Sequence, residues 1–206
     1  MSDKKITLHK GDLAEGIAFG DSVAVDSETL GLNPHRDRLC LVQLSAGDGT
    51  AQLVQLDGSD YDAPRLKAVL ADQNVLKIFH FARFDIAVIH RYLGVVATPV
   101  YCTKIASKLV RTYTDRHGLK DVVSELAGVE LSKQQQSSDW AATKLTDQQL
   151  AYAASDVLYL HTVKRRLDEM LAREGRTHLA EKAFEFLPTR AELDLGGFGD
   201  IDVFSH

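Results

Sequence analysis

The chain has 206 residues, of which 45% are hydrophobic and 26% are charged, and its formal net charge is −5 at pH 7. These values are typical of a globular protein, and a single domain of this length needs no disulfide bonds for stability. The acidic balance argues against a protein that coats long nucleic acid, but it leaves open an enzyme that acts on nucleic acid through its own carboxylates.

No run of about 18 apolar residues occurs in the sequence, and the N-terminal residues lack the apolar core of a signal peptide. The two cysteines, Cys40 and Cys102, each lie in an apolar run, which indicates buried and reduced thiols. We therefore expect a cytoplasmic protein without a membrane span.

The first half of the chain predicts a sheet with helices between its later strands. Short segments rich in valine and leucine are separated by turn residues, and they predict strands at 22–28, 38–46, 51–56 and 75–80. A helix is expected to begin at Pro64, and another follows the last of these strands and ends at Gly94.

From about residue 103 onward the hydrophobic pattern becomes helical. The best helical segments are 103–110, 118–127 and 146–174. Strands followed by helices predict an α/β fold with a helical C-terminal half. We expect one domain over residues 1–206, with a core at about 20–175 and a C-terminal tail at 188–206.

Two carboxylates lie close together at the end of the first predicted strand, in the segment A-V-D-S-E-T-L-G-L-N-P at 24–34. Asp26 and Glu28 are two positions apart, so in a strand their side chains share one face. Two like charges in this position repel each other. The pattern therefore indicates that a cation compensates them.

Further carboxylates occur on the predicted helices. Asp85 lies in a first helical turn, where a favourable interaction with the helix dipole would by itself explain it. Tyr152 and Asp156 are four residues apart on an apolar helix, and a buried aspartate needs a partner or a metal. If these groups converge with Asp26 and Glu28, they form a site for two divalent ions about 3.5–4 Å apart. Ligation by oxygen alone favours Mg²⁺ or Mn²⁺ over zinc.

The chain contains a D-x-E motif, then an aspartate on a helix, and then a Y-x-x-x-D motif. This order of motifs resembles the DEDDy class of 3′–5′ exonucleases. Several longer blocks resemble its ribonuclease D branch, and these blocks occur in the same order over roughly residues 20–165. They are R-L-C-L-V-Q-L (38–44), F-H-F-A-R-F-D (79–85), the segment 118–131 and the segment 138–160. In length and in the sequence of these blocks, the chain is most similar to compact bacterial members of this family that degrade very short RNAs.

The resemblance implies an RNase H-like fold with a mixed five-stranded sheet flanked by helices, and no appended helical RNA-binding domain. It implies a 3′–5′ exoribonuclease that uses two divalent metals to convert very short single-stranded RNAs, especially dinucleotides, to nucleoside 5′-monophosphates. The implied metal ligands are Asp26, Glu28, Asp85 and Asp156, with Tyr152 holding the attacking water. It also implies a homo-oligomer, an octameric ring.

Substrate contacts are open to two interpretations each. Leu32, with Thr29 and Leu30 beside it, either wedges between two bases or packs under its own loop. His80 either reaches a phosphate or makes its hydrogen bonds within the protein at the end of its strand. Lys108 shares a helix face with Lys104 and Arg111, and this face is either a basic funnel for phosphates or simply solvated.

Three other functions remain as alternatives. The first is ribonuclease D-like trimming of longer or structured RNA 3′ ends, such as tRNA precursors. The second is a proofreading-type DNA exonuclease, which a preference for the 2′-hydroxyl would exclude. The third is a noncatalytic RNA-binding scaffold, although such a protein would not be expected to keep all four carboxylates and the tyrosine.

Overall fold

The computed structural model describes residues 5–132 and 134–206. A mixed sheet of six strands forms the centre of the fold, in the order β1-β4-β3-β2-β5-β6. The strands are β1 (Lys5–Lys10), β2 (Ser22–Thr29), β3 (Leu39–Ser45), β4 (Thr50–Gln55), β5 (Leu76–Phe79) and β6 (Val100–Cys102). Strand β2 pairs with β3 and β3 with β4 in antiparallel fashion, while the outer pairs β1–β4, β2–β5 and β5–β6 are parallel.

The expected sheet of five strands is corrected to six in the part of the chain that the structure describes. The segments that were not predicted are β1 and β6, at the two edges of the sheet. Strand β1 is K-I-T-L-H-K, whose charged ends and half-buried middle carry a weak strand signal. Strand β6 has only three residues, which is too short for a periodic pattern.

The helices cover both faces of this sheet. They are α1 (Pro64–Ala71), α2 (Ala82–Leu93), α3 (Thr103–Val110), α4 (Leu119–Ala127), α5 (Asp147–Leu158), α6 (Leu160–Arg173) and α7 (Thr177–Leu193). The α/β class and the helical C-terminal half are therefore confirmed. All seven residues of β3 are buried, as expected for a central strand with helices on both faces.

The segment 146–174 is two helices that meet at Tyr159. The first of them, α5, begins with a capping box: the Thr146 hydroxyl accepts from the Gln149 backbone N–H, and the Gln149 side chain accepts from the Thr146 N–H at 2.9 Å. This start fixes the position of α5, which packs across β2, β3 and β4.

The chain beyond α6 is helical almost to its end. Helix α7 continues through Pro188 to Leu193, and a π-helical turn follows at Asp194–Phe198. Arg83 of α2 and Arg190 both bind the Asp194 carboxylate and the Gly199 carbonyl, which ties this turn to α2. In the described ranges, the helices are all too short or too polar to cross a membrane.

Candidate active site

The end of β2 and the helix α5 bring three carboxylates together. Asp26 and Glu28 point to the same face of β2, and Asp156 reaches them from α5. One carboxylate oxygen from each of the three lies within 4.8 Å of the others. A break in the β2–β3 register between Glu28 and Thr29 ends the regular strand directly after the second carboxylate.

The fourth carboxylate, Asp85, comes from the first turn of α2. Its side chain is buried, and the Ser27 hydroxyl donates a 2.6 Å hydrogen bond to its Oδ1. The chain turns sharply into α2 at Phe81, which has a left-handed backbone with φ 76°. A non-glycine residue in this conformation is strained, and such strain often marks functional sites.

Burial raises the pKa values of all four groups, and repulsion adds to the shift for Glu28, Asp85 and Asp156. Burial raises the pKa of Asp26 to about 7. For Glu28, burial and then repulsion from Asp26, Asp156 and Asp85 raise the pKa to about 10. Burial and the charge of Asp26 hold the pKa of Asp85 and of Asp156 well above their usual range. The cluster therefore holds protons at neutral pH unless cations compensate the charges, and its oxygen-only donor set fits hard divalent ions.

Tyr152 lies one helical turn before Asp156, and the interaction of its hydroxyl with that carboxylate offsets part of the rise in the Asp156 pKa. Burial, followed by the charges of Asp156 and Glu28, raises the pKa of the Tyr152 hydroxyl, so this group stays protonated. Its ring lies 6.0 Å from that of Trp140, which is buried. Tyr152 can therefore orient a bound molecule through its hydroxyl but does not act as a base by ionising.

The five residues line a cleft of about 630 Å³, and several predicted substrate contacts line it with them. Thr29, Leu30, Leu32 and His80 are all at this surface. Leu32 is 85% exposed, so it does not pack under its own loop. His80 Nδ1 lies 2.8 Å from the Thr103 hydroxyl, and burial lowers the His80 pKa to about 3, which keeps the imidazole neutral.

Of the three basic residues on the helix face, only Lys104 lines the cleft. Lys104 lines the cleft, whereas Lys108 is exposed outside it. Arg111 is not solvated: its guanidinium is buried and binds Glu125 at 2.5 Å and the Arg116 carbonyl at 2.7 Å. The interpretation of this face as a solvated or basic surface therefore fails for Arg111, because loop and helix polar groups surround it.

One wall of the cleft was not predicted from the sequence. Phe81 is 45% exposed there, and the Lys104 ammonium lies 4.2 Å from the centre of its ring. The motif F-H-F-A-R-F-D contains this residue, but only the backbone turn into α2 brings its side chain to the surface. Lys120, from the start of α4, lines the same cleft.

Comparison with known proteins identifies the family of this fold and site. A family model described as a 3′–5′ exonuclease matches residues 9–172. The chain belongs to the 3′–5′ exonuclease family. Ribonuclease D of Acidiphilium cryptum is 35% identical over 172 residues, which are 83% of this chain and 43% of that protein. The chain thus spans less than half the length of the curated ribonuclease D relatives it matches.

The solved structures that match nearly the whole chain include two of Brucella melitensis NrnC. Brucella melitensis NrnC with bound Mg²⁺ is 56% identical with a TM-score of 0.94, covering 98% of this chain and 99% of that chain. Brucella melitensis NrnC bound to pGG is 57% identical with a TM-score of 0.95, covering 98% of each chain. The resemblance to compact ribonuclease D-like exonucleases is confirmed.

The raised pKa values predict how the stability of the metal-free protein depends on pH. An unfolded carboxylate has a pKa near 4, so above about pH 4 the folded state binds more protons than the unfolded state. The free energy of unfolding therefore falls as pH rises toward 7 and beyond. We expect the melting temperature in EDTA to decrease from about pH 5 to about pH 8, and Mn²⁺ to stabilise more at the higher pH.

Asp156→Asn is the control for this pH dependence, because it removes one repelling group and should make the decrease smaller. Thermal melts of both proteins across this pH range provide the measurement. A melting temperature in EDTA that stays constant or rises would contradict the description of the cluster.

Proposed function

We propose that this chain is a 3′–5′ exoribonuclease that uses two divalent ions, Mg²⁺ or Mn²⁺, to hydrolyse very short RNAs, especially dinucleotides, to nucleoside 5′-monophosphates. The observation that carries the proposal is the convergence of Asp26, Glu28 and Asp156 within 4.8 Å in an open cleft. The Mg²⁺ and pGG complexes of the similar Brucella protein support it, since pGG denotes a 5′-phosphorylated guanosine dinucleotide.

The carboxylates would divide between the two metal sites. Asp26 would contribute to both, Glu28 and Asp156 would complete the first, and Asp85 would support the second. When bound, such ions lower the pKa of a water molecule and stabilise the charge that develops on the leaving 3′ oxygen. The protonated Tyr152 hydroxyl would orient the attacking water by a hydrogen bond. Ser27 would hold Asp85 in place through its 2.6 Å hydrogen bond.

The rest of the cleft supports a short, single-stranded substrate. Its volume of about 630 Å³ lies in the range of small-ligand sites, which suits a dinucleotide. Leu32 and Phe81 present apolar surface that can stack on any base, and Lys104 and Lys120 offer positive charge to phosphates. Apolar stacking and phosphate contacts together bind RNA without reading its sequence.

The assembly and location belong to the same proposal. The C-terminal segment exposes several large apolar side chains, and a surface of this kind is commonly covered by another protein chain. These residues are Phe198, Ile201, Val203 and Phe204. They support a homo-oligomer, for which we propose the octameric ring implied by the family resemblance, acting in the cytoplasm.

Substrate length distinguishes this function from its closest alternative. We expect initial rates with Mn²⁺ to be at least about tenfold higher on a 5′-labelled RNA dinucleotide than on a longer strand, because the cleft suits a small ligand. A tRNA-like hairpin and the matching DNA dinucleotide complete the set. Asp156→Asn should abolish turnover and Tyr152→Phe should reduce it about 100-fold.

Asp147→Asn is the matched control, because it makes the same change at an exposed position on the same helix and should leave the rates unchanged. Equal or faster cleavage of the long strand or hairpin would contradict the dinucleotide preference and support ribonuclease D-like trimming. Equal cleavage of DNA would support the proofreading alternative. Full activity of Asp156→Asn would contradict the metal-site assignment.

The exposed Leu32 side chain gives a separate prediction for substrate binding. Leu32→Ala removes a stacking surface, so the KM for the dinucleotide should rise about tenfold with little change in kcat. The melting temperature should not change, since the side chain is 85% exposed. Leu179→Ala, at an exposed position on α7, is the control. An unchanged KM in steady-state assays would remove Leu32 from the substrate surface.

A further inference from the structure

Gln43 is a buried polar residue of β3 with an unusual environment. Its side chain is fully buried, and within residues 5–132 and 134–206 neither its amide oxygen Oε1 nor its amide nitrogen Nε2 has a hydrogen-bond partner. An amide offers two donor hydrogens and an acceptor oxygen, and burying them unpaired destabilises the folded state. A buried amide without partners therefore requires a specific explanation.

The sheet register places Gln43 beside one carboxylate of the active site. Gln43 is the direct cross-strand partner of Asp26 in the antiparallel β2–β3 pair. Directly opposite residues share a face, with Cβ atoms about 4.5–5.5 Å apart. On its other side Gln43 pairs with Leu53 of β4, whose side chain has no polar atom. Of the two residues directly opposite Gln43, Asp26 is thus the one whose side chain can bond to the amide.

The Asp26 carboxylate lacks the support that two of its neighbours receive. Asp85 accepts a 2.6 Å hydrogen bond from the Ser27 hydroxyl, and the Tyr152 hydroxyl interacts with Asp156 and lowers its pKa. In the part of the chain that the structure describes, Asp26 receives a backbone hydrogen bond from Ser27. An ionised carboxylate can accept several hydrogen bonds, so Asp26 has capacity for a side-chain donor.

We propose that Gln43 is a positioning residue of the metal site, whose Nε2 donates a hydrogen bond to the ionised Asp26 carboxylate and orients it toward bound cations. This inference rests on the proposed function. Asp26 is the ligand assigned to both ions, so its orientation affects the whole cluster. A hydrogen bond of this kind to a metal ligand typically changes metal affinity or activity by about 10- to 100-fold.

Gln55 of β4 provides a matched comparison within the same sheet. It is also buried and lies on the same face, opposite Leu41, but both polar atoms of its amide have a partner. Its Nε2 donates to the Ala142 carbonyl at 2.8 Å, and its Oε1 accepts from the Lys10 ammonium. Gln55 therefore has the structural role that a buried glutamine ordinarily has.

The test compares Gln43→Met with Gln55→Met, since methionine keeps the length of the side chain and removes its hydrogen bonds. Calorimetric titration with Mn²⁺ and the melting temperature in EDTA are measured for each protein. For Gln43→Met we expect Mn²⁺ affinity to fall about 10- to 100-fold, with no loss of melting temperature in EDTA. For Gln55→Met we expect the reverse: a lower melting temperature and unchanged Mn²⁺ affinity.

The failures of this inference and of the proposed function can be distinguished. Mn²⁺ affinity of Gln43→Met within twofold of the unmodified protein would overturn the inference alone. Absence of Mn²⁺ binding by the unmodified protein would overturn the proposed metal site and the inference with it. If Gln43→Met does not fold, Gln43→Asn is tested instead, because its side chain is one carbon shorter and moves the amide away from Asp26. Unchanged Mn²⁺ affinity of Gln43→Asn would again contradict the positioning role of Gln43.

Discussion

The crowding of four carboxylates, two of them buried and two half-buried, is the constraint on which the rest of this structure depends. Ionising Asp26, Glu28, Asp85 and Asp156 together in one site destabilises the folded chain, because burial raises the pKa of each group and repulsion adds to the shift for the last three. Two elements of the fold hold these carboxylates in place. One is the central sheet, in which β3 is buried throughout, and the other is the capped helix α5, which packs across the sheet. Divalent ions offset the same repulsion, so the feature that weakens the metal-free protein gives it affinity for metal.

The proposed substrate surface lies where the chain leaves this cluster. The irregular end of β2 leads directly into the loop that exposes Leu32, and the left-handed Phe81 turns the chain from β5 into α2. The proposed metal ligands thus come from regular elements, while the surfaces that would contact bases come from the segments beside them. The chain matches nearly the whole Brucella protein but less than half the length of the ribonuclease D of Acidiphilium cryptum.

Much of the site could be predicted from the sequence because it depends on local periodicity. The spacing of Asp26 and Glu28 gives a shared strand face, and that of Tyr152 and Asp156 gives a shared helix face, whatever the tertiary fold. The two edge strands were not predicted, because β6 has only three residues and β1 is charged at both ends. The roles proposed for Phe81 and Gln43 depend on a backbone angle and on strand register, which no local sequence pattern encodes.

The most direct test of this account is an anomalous diffraction measurement on crystals of the protein grown or soaked with Mn²⁺. The account predicts two anomalous peaks about 3.5–4 Å apart in the cleft, with Asp26 bound to both ions. A single peak would contradict the two-metal mechanism but keep the cluster as a metal site. The absence of any peak beside Asp26 at saturating Mn²⁺ would contradict the central claim that cations compensate these buried carboxylates.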